Sequence, residues 1–274
     1  MTDIYVFIIE LYRGIMEDDL ISKASELSFK ILLSLFPFIL FLMALISYFD
    51  IDATVLIEDM TNIFHAEILD FIAPFMRELL EIRRPSVLSA SFIVMLYSAS
   101  SGFNSAMKGI NKAHGQIDKR NFFHRRLISI ALVILFAVAI VLALIMLIFN
   151  NHVYLLAVRF LHDTALLNMV FSLLGYILSA GVLLLSVIMI NRLSLAGKKR
   201  WRDLLPGACF TVVCWVVLSY AFGVYVNNFS NHSALYGSVA GIMLFMLWLN
   251  LICVVLLAGS EINALIMAKG VRKG

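Results

Sequence analysis

Long apolar runs, separated by short charged stretches, set the organisation of this chain. Six runs cover approximately Leu27 to Phe49, Val87 to Met107, Leu127 to Phe149, Leu166 to Ile190, Gly207 to Val226 and Tyr236 to Ala258. Each is near the roughly 20 residues at which a helix rising about 1.5 Å per residue crosses about 30 Å of hydrocarbon. The runs are continuous rather than alternating, which predicts helices and not the short strands of a membrane barrel. The third run carries no charge anywhere along its length.

Two further stretches have helical periodicity without the composition of a span. Near the N-terminus Ile4, Phe7, Ile8, Leu11 and Ile15 fall on one face, ahead of Glu17, Asp18 and Asp19. Residues 1–26 therefore read as a cytoplasmic amphipathic segment lying in the membrane interface. Between the first and second runs, residues 50–86 place Leu56, Met60, Ile63, Phe64, Ile68, Phe71, Ile72, Phe75 and Leu79 at helical spacing among acidic positions. This segment reads as an amphipathic outer loop, a helix or a helical pair broken near Pro74. No repeat or linker divides the chain, so residues 1–274 are expected to form a single all-α, polytopic transmembrane bundle of about six spans.

Composition supports the same solvent. Of 274 residues, 62% are hydrophobic and only 14% charged, whereas soluble domains are about half apolar and about a quarter charged. The net charge of +3 is far from that of a nucleic-acid binder, and the basic residues gather between spans. Lys108, Lys112, Lys119, Arg120, Arg125 and Arg126 follow the second run, and Arg192, Lys198, Lys199, Arg200 and Arg202 follow the fourth. The loops after the third and fifth runs are nearly free of Lys and Arg. By the positive-inside rule both termini are expected on the cytoplasmic side, with Arg77, Arg83 and Arg84 in the acidic first outer loop as the exception. The opening residues lack the pattern of a cleaved signal peptide. Cys209, Cys214 and Cys253 lie within apolar runs without CxxC spacing and are expected to be buried free thiols.

Ionisable and polar groups at membrane depth are costly, and so are the first candidates for function. Glu26 and Lys30 stand four residues apart in the favourable order for a helical ion pair. Glu261 has no charged neighbour within helical reach, and the expectation is a partner on another helix, either Lys30 or Arg126. The alternative is a solvated carboxylate at a helix end. Asn104, Asn111 and Asn250 suit either cross-helix hydrogen bonds or the wall of a polar path, beside the small-residue surface Ser98, Ala99, Ser100, Ser101 and Gly102. Pro37 removes one hydrogen bond from the first span and is expected to kink it. Tyr236, Gly237 and Gly241 open the last span with a small-xxx-small pair, expected to pack closely against another helix. The six histidines form no metal-ligand motif, and no nucleotide-binding or nucleophile-elbow motif occurs.

The segments LSFKILLSLFPFILFLMAL, GFNSAMKGINKAHG, RRLISIALVI, LLPGACFTVVCW and YGSVAGIMLFMLWLNLICVVLLAGSEINA resemble the YihY/BrkB family of bacterial inner-membrane proteins. The resemblance extends over nearly the whole chain and implies a multi-pass protein of the bacterial plasma membrane. It singles out Pro37, Asn111, Pro206, Gly207, Tyr236, Gly237, Glu261 and Asn263, while the stretch around Lys30 departs from the family's aromatic-rich pattern. Members of the family once carried the label ribonuclease BN. That label conflicts with the residues, which offer neither a metal cluster nor a basic track for RNA. The expectation is therefore a transporter or lipid-handling protein and not an enzyme, with no catalytic residue, cofactor or metal. A non-catalytic envelope scaffold is the rival reading, and a membrane-bound ribonuclease the least supported. Membrane lipids and a small-molecule or lipid substrate are the expected partners; a homo-oligomer is left open, and nucleic acid is not expected.

Overall fold

The structure, a computed structural model, describes residues 2–46, 85–139, 142, 164–197, 199–229 and 237–272. Among the described residues there is no strand, and seven helices account for most of the chain. They are α1 (Thr2–Glu17), α2 (Leu20–Ile46), α3 (Pro85–Ala113), α4 (Phe122–Ala139), α5 (Thr164–Ser194), α6 (Trp201–Phe229) and α7 (Gly237–Arg272). The amphipathic segment expected at 50–86 lies almost wholly outside the described residues, as does Tyr236.

The helices outrun the apolar stretches that announce them. α2 starts at Leu20 and α7 continues to Arg272, because hydropathy marks only the part at lipid depth while helix-forming residues continue into the polar ends. Local chemistry explains the boundaries. Pro85 opens α3, where its missing N–H is one of the unpaired donors in any case. Gly115, at φ +60°, turns the chain after α3, and its N–H donates to the Lys112 carbonyl, as the N–H of Gln116 does to Asn111. Asp19, at φ 51°, makes the tight turn from α1 into α2, a conformation that Asp tolerates better than most side chains. α2 is helical on both sides of Pro37.

Among the described residues five helical segments are long and apolar enough to cross a membrane: Leu20–Phe41, Phe122–Ala139, Ile177–Ser194, Trp201–Val226 and Met243–Lys269. α3 is present as a long helix where the second span is expected, but its serines and asparagines make it less apolar than α2, α5, α6 and α7. It packs most extensively on α2. α7 is the hub, touching α6, α2, α3 and α1, and α4 joins through Phe136, which meets Phe103 edge-on at 6.0 Å. The core between the helices is built from Leu27, Met107, Ile110, Leu132, Ile190, Leu204 and Leu257. Large apolar side chains also cover the outside: Phe36, Tyr97, Tyr220 and Met243 are each about two-thirds exposed or more. In water such a surface would drive association, whereas hydrocarbon solvates it.

Candidate functional site

Polar side chains are buried along the helix seams, and several of the strongest bonds among them lie at one end of the bundle. There the start of α2, the end of α3, the start of α4, the end of α5, the start of α6 and the end of α7 are cross-tied. Lys112 reaches Asp19 at 3.3 Å. Arg120 donates to the carbonyls of Leu193 and Ser194. Asp118 holds that guanidinium at 2.8 Å; burial works to raise the Asp118 carboxyl, but the bonds from Arg120 win and hold it below the usual range. The basic loops expected on one side of the membrane are thus brought together.

Most of the polar residues singled out by sequence have hydrogen-bond partners. Asn111 donates from Nδ2 to the carbonyls of Met107 and Ser194, each at 2.7 Å, and its Oδ1 accepts from the Ala196 N–H at 2.8 Å. It therefore caps the C-terminal end of α5, where carbonyls and N–H groups leave the helix ladder. Asn250 bonds Ser25 at 2.9 Å and Ser28 at 3.3 Å, joining α7 to α2. Lys30 forms the expected pair with Glu26 at 2.7 Å and also donates to Ser105 on α3 at 2.7 Å. Arg126 donates to the Tyr97 carbonyl and lies 4.1 Å from the centre of the Tyr97 ring. Asn104 is half-buried on α3.

Asn263, fully buried on α7, binds α6 with both ends of its amide. Its Oδ1 accepts from the Gly207 N–H at 2.7 Å, and its Nδ2 donates to the Leu204 carbonyl at 3.1 Å. Beside it the two backbones nearly touch: a Cβ at Gly207 would collide with the Gly259 carbonyl, and one at Gly259 with Thr211 and the Gly207 carbonyl. Thr211 in turn donates to Gly207 at 2.8 Å. Pro206, one position ahead, is exposed near the start of α6. Among the described residues nothing lies within 4 Å of where a Cβ on Gly241 would stand, and the tightest crossing belongs to the other end of the same helix. Gly237 is the first residue of α7.

Glu261 stands apart. It is only 4% exposed, yet its Oε2 has no hydrogen-bond partner among the described residues. The pairing expected with Lys30 or Arg126 does not occur, since Lys30 is held by Glu26 and Ser105 and Arg126 by Tyr97. Instead the carboxylate lies against Gly14 of α1, so close that any Cβ there would collide with it. Gly14, Glu10, Arg13, Glu17 and Asp18 line a cleft of about 330 Å³ together with Glu261, Leu265, Ala268 and Lys269. One side is closed by the pair of Lys269 with Glu10 at 2.5 Å, and Lys269 also sits over the ring of Phe7. Burial pushes the Asp18 carboxyl above its usual range, with Lys112 opposing. The cleft is thus predominantly acidic.

Sequence reading missed Gly14, Gly259 and Thr211. A glycine inside an otherwise well-formed amphipathic helix was the available signal for Gly14, and Gly259 stands in the G-x-E-x-N-A stretch without naming its neighbour. The three cysteines are free, but only Cys253 is buried; Cys209 is exposed because it faces outward from α6, on the apolar surface.

Helices of this length and exterior define a helical integral membrane protein. The family described as Virulence factor BrkB matches residues 11–273, and the chain belongs to it. Over 245 residues, 89% of each chain, it is 32% identical to a Bacillus subtilis protein named "Putative ribonuclease-like protein YfkH". Shorter matches link it to proteins named UPF0761 membrane protein: 33% identity over 93 residues in Tolumonas auensis, covering 34% of this chain and 30% of the relative. A second, in Pseudoalteromonas translucida, is 26% identical over 95 residues, 35% of this chain and 32% of the relative. No solved structure has significant similarity to the chain.

Proposed function

We propose that the chain is a multi-pass protein of the bacterial inner membrane that carries a lipid or small molecule through or along the bilayer, with Glu261 as the group that meets the cargo. One observation carries this reading: a buried carboxylate oxygen without a partner among the described residues opens on a cleft under an amphipathic helix, while the buried amides of Asn263 and Asn111 are satisfied. A membrane protein that buries charge without compensation pays for it in stability, and such groups mark substrate paths. The basic residues tied together at one end of the bundle support a topology with both termini in the cytoplasm, which puts the cleft at the inner leaflet. The outward apolar face of α1, with Tyr5, Ile9, Tyr12 and Met16 exposed, suits a helix lying in that leaflet.

We read the protein as non-catalytic; the ribonuclease-like name belongs to the Bacillus relative. The test is reconstitution into vesicles carrying a fluorescent phospholipid, with quenching of the outer leaflet to follow translocation. Wild-type protein should speed the exchange and Glu261→Gln should slow it to near the protein-free rate. Equal rates for wild type, variant and empty vesicles, repeated for small-molecule flux, would end this reading.

A further inference from the structure

Within the cleft the charges are asymmetric. Glu10, Arg13 and Glu17 recur at helical spacing and give α1 one charged stripe, with Gly14 in its midst. Glu10 is engaged by Lys269, which leaves Glu17, Asp18 and the buried Glu261 facing the space with Arg13. Arg13 has no ion-pair partner among the described residues. An occupant that satisfies this set must bring a positive group with hydrogen-bond donors to Glu261 and a negative group to Arg13.

Three features narrow the chemistry. Among the described residues no group of three or more His, Cys, Asp and Glu side chains is placed to hold a metal ion, which favours an organic positive group. Among the described residues no aromatic ring lines the cleft, and a quaternary ammonium, which has no N–H to donate, relies on such rings. A primary ammonium instead supplies the N–H that the Glu261 Oε2 lacks. Finally, the volume of about 330 Å³ is near the lower end of ligand pockets, about 300–1,000 Å³. The apolar residues Ile8 and Tyr12 on α1 and Ile266 on α7 are exposed on other faces of the two helices that form the cleft, so a head group bound between them has lipid-facing helix surface on both sides.

We propose that the cleft between α1 and α7 binds the head group of a primary-amine zwitterionic phospholipid, its ammonium donating to Glu261 and its phosphate meeting Arg13. This rests on the lipid-handling form of the function proposed above and names the class of lipid. Gly14 makes the arrangement possible, because a side chain there would occupy the space of the Glu261 carboxylate.

The experiment is native mass spectrometry of the full chain extracted from vesicles of equal phosphatidylethanolamine, phosphatidylcholine and phosphatidylglycerol. Phosphatidylethanolamine should be retained over phosphatidylcholine by about tenfold, the order expected of one charge-assisted hydrogen bond. Glu261→Gln should remove that preference, and Arg13→Gln should weaken retention of phosphatidylethanolamine while leaving its advantage over phosphatidylcholine. The wild-type comparison of the two lipids needs no variant and stands even if a substitution impairs folding. Equal retention of the two would overturn the proposal, as would a preference unchanged in Glu261→Gln. Selective retention of phosphatidylglycerol, lost in Arg13→Gln, would overturn the head-group assignment and leave lipid handling standing. Retention of no lipid, with no translocation in the vesicle assay, would remove both. Soluble phosphoethanolamine added to the same extract should compete only weakly; if it binds and no lipid does, the ligand is the free amine and the lipid proposal fails.

Discussion

Glu261 and Asn263 sit two residues apart on α7, both buried, and they face different worlds. Asn263 points into the α6–α7 crossing, where two glycines bring the backbones together and each end of its amide has a backbone partner. Glu261 points under α1, into an acidic cleft, with one oxygen unpaired. The crossing has the marks of a region shaped for stability, because both ends of the Asn263 amide and the Thr211 hydroxyl that it buries are answered. The cleft has those of a region shaped for something else. An unpaired buried carboxylate costs folding free energy and persists only if another requirement holds it there.

The two regions should therefore respond oppositely to substitution, and the largest effect belongs to the crossing. Gly259→Val forces a side chain into Thr211 and the Gly207 carbonyl, and overpacking of this kind costs about 3 kcal/mol or more. The expected outcome is loss of monodisperse protein in detergent size-exclusion chromatography. Asn263→Ala is next. It leaves the Gly207 N–H and the Leu204 carbonyl without their side-chain partner, a loss of about 2 kcal/mol in reversible denaturation. If either substitution is silent, the crossing is not the structural seam described here.

A middle-sized effect is expected at the α2–α3 seam, where Lys30 links Glu26 to Ser105. Lys30→Met should cost about 1 kcal/mol, the scale of a partly buried pair with its hydrogen bonds. Thermal unfolding against wild type measures it, and a value as large as that for Asn263→Ala would erase the ranking. The smallest effect is a pH dependence at His114, just beyond α3. Its Nδ1 lies 3.0 Å from the Ile110 carbonyl, and its Nε2 is buried without a partner. Burial lowers its pKa from the usual 6.5, the Ile110 carbonyl works against that, and Lys199 adds to it. The unfolded chain then binds the proton more readily, so the neutral ring's contribution is complete above 6.5 and is lost progressively as pH falls from there through the lowered folded value. His114→Gln should flatten the unfolding midpoint between pH 7 and 5; an unchanged slope would contradict the assignment.

The difference between the regions also explains what the sequence made legible. Spans were readable because about 20 apolar residues in a row have few other solvents than lipid. The Glu26–Lys30 pair was readable because both partners lie on one helix at a fixed spacing. The surroundings of Glu261 were not, because they depend on which helices meet. Lys30 and Arg126 were the obvious cations, yet Ser105 and Tyr97 on α3 answer them first. For the same reason Gly241 and Gly207 look alike in sequence, while among the described residues Gly207 meets another backbone and Gly241 does not. Asn111 was marked by its polarity at membrane depth, but its task of capping the end of α5 appears only when the loop after α5 folds back on it.

The most direct measurement is a density map of the full chain in native lipid at a resolution that defines side chains. α1 should be seated over Glu261, with lipid head-group density in the cleft within hydrogen-bonding reach of its carboxylate. A cleft closed by packing, with Glu261 bonded to a basic side chain of the protein, would contradict that arrangement.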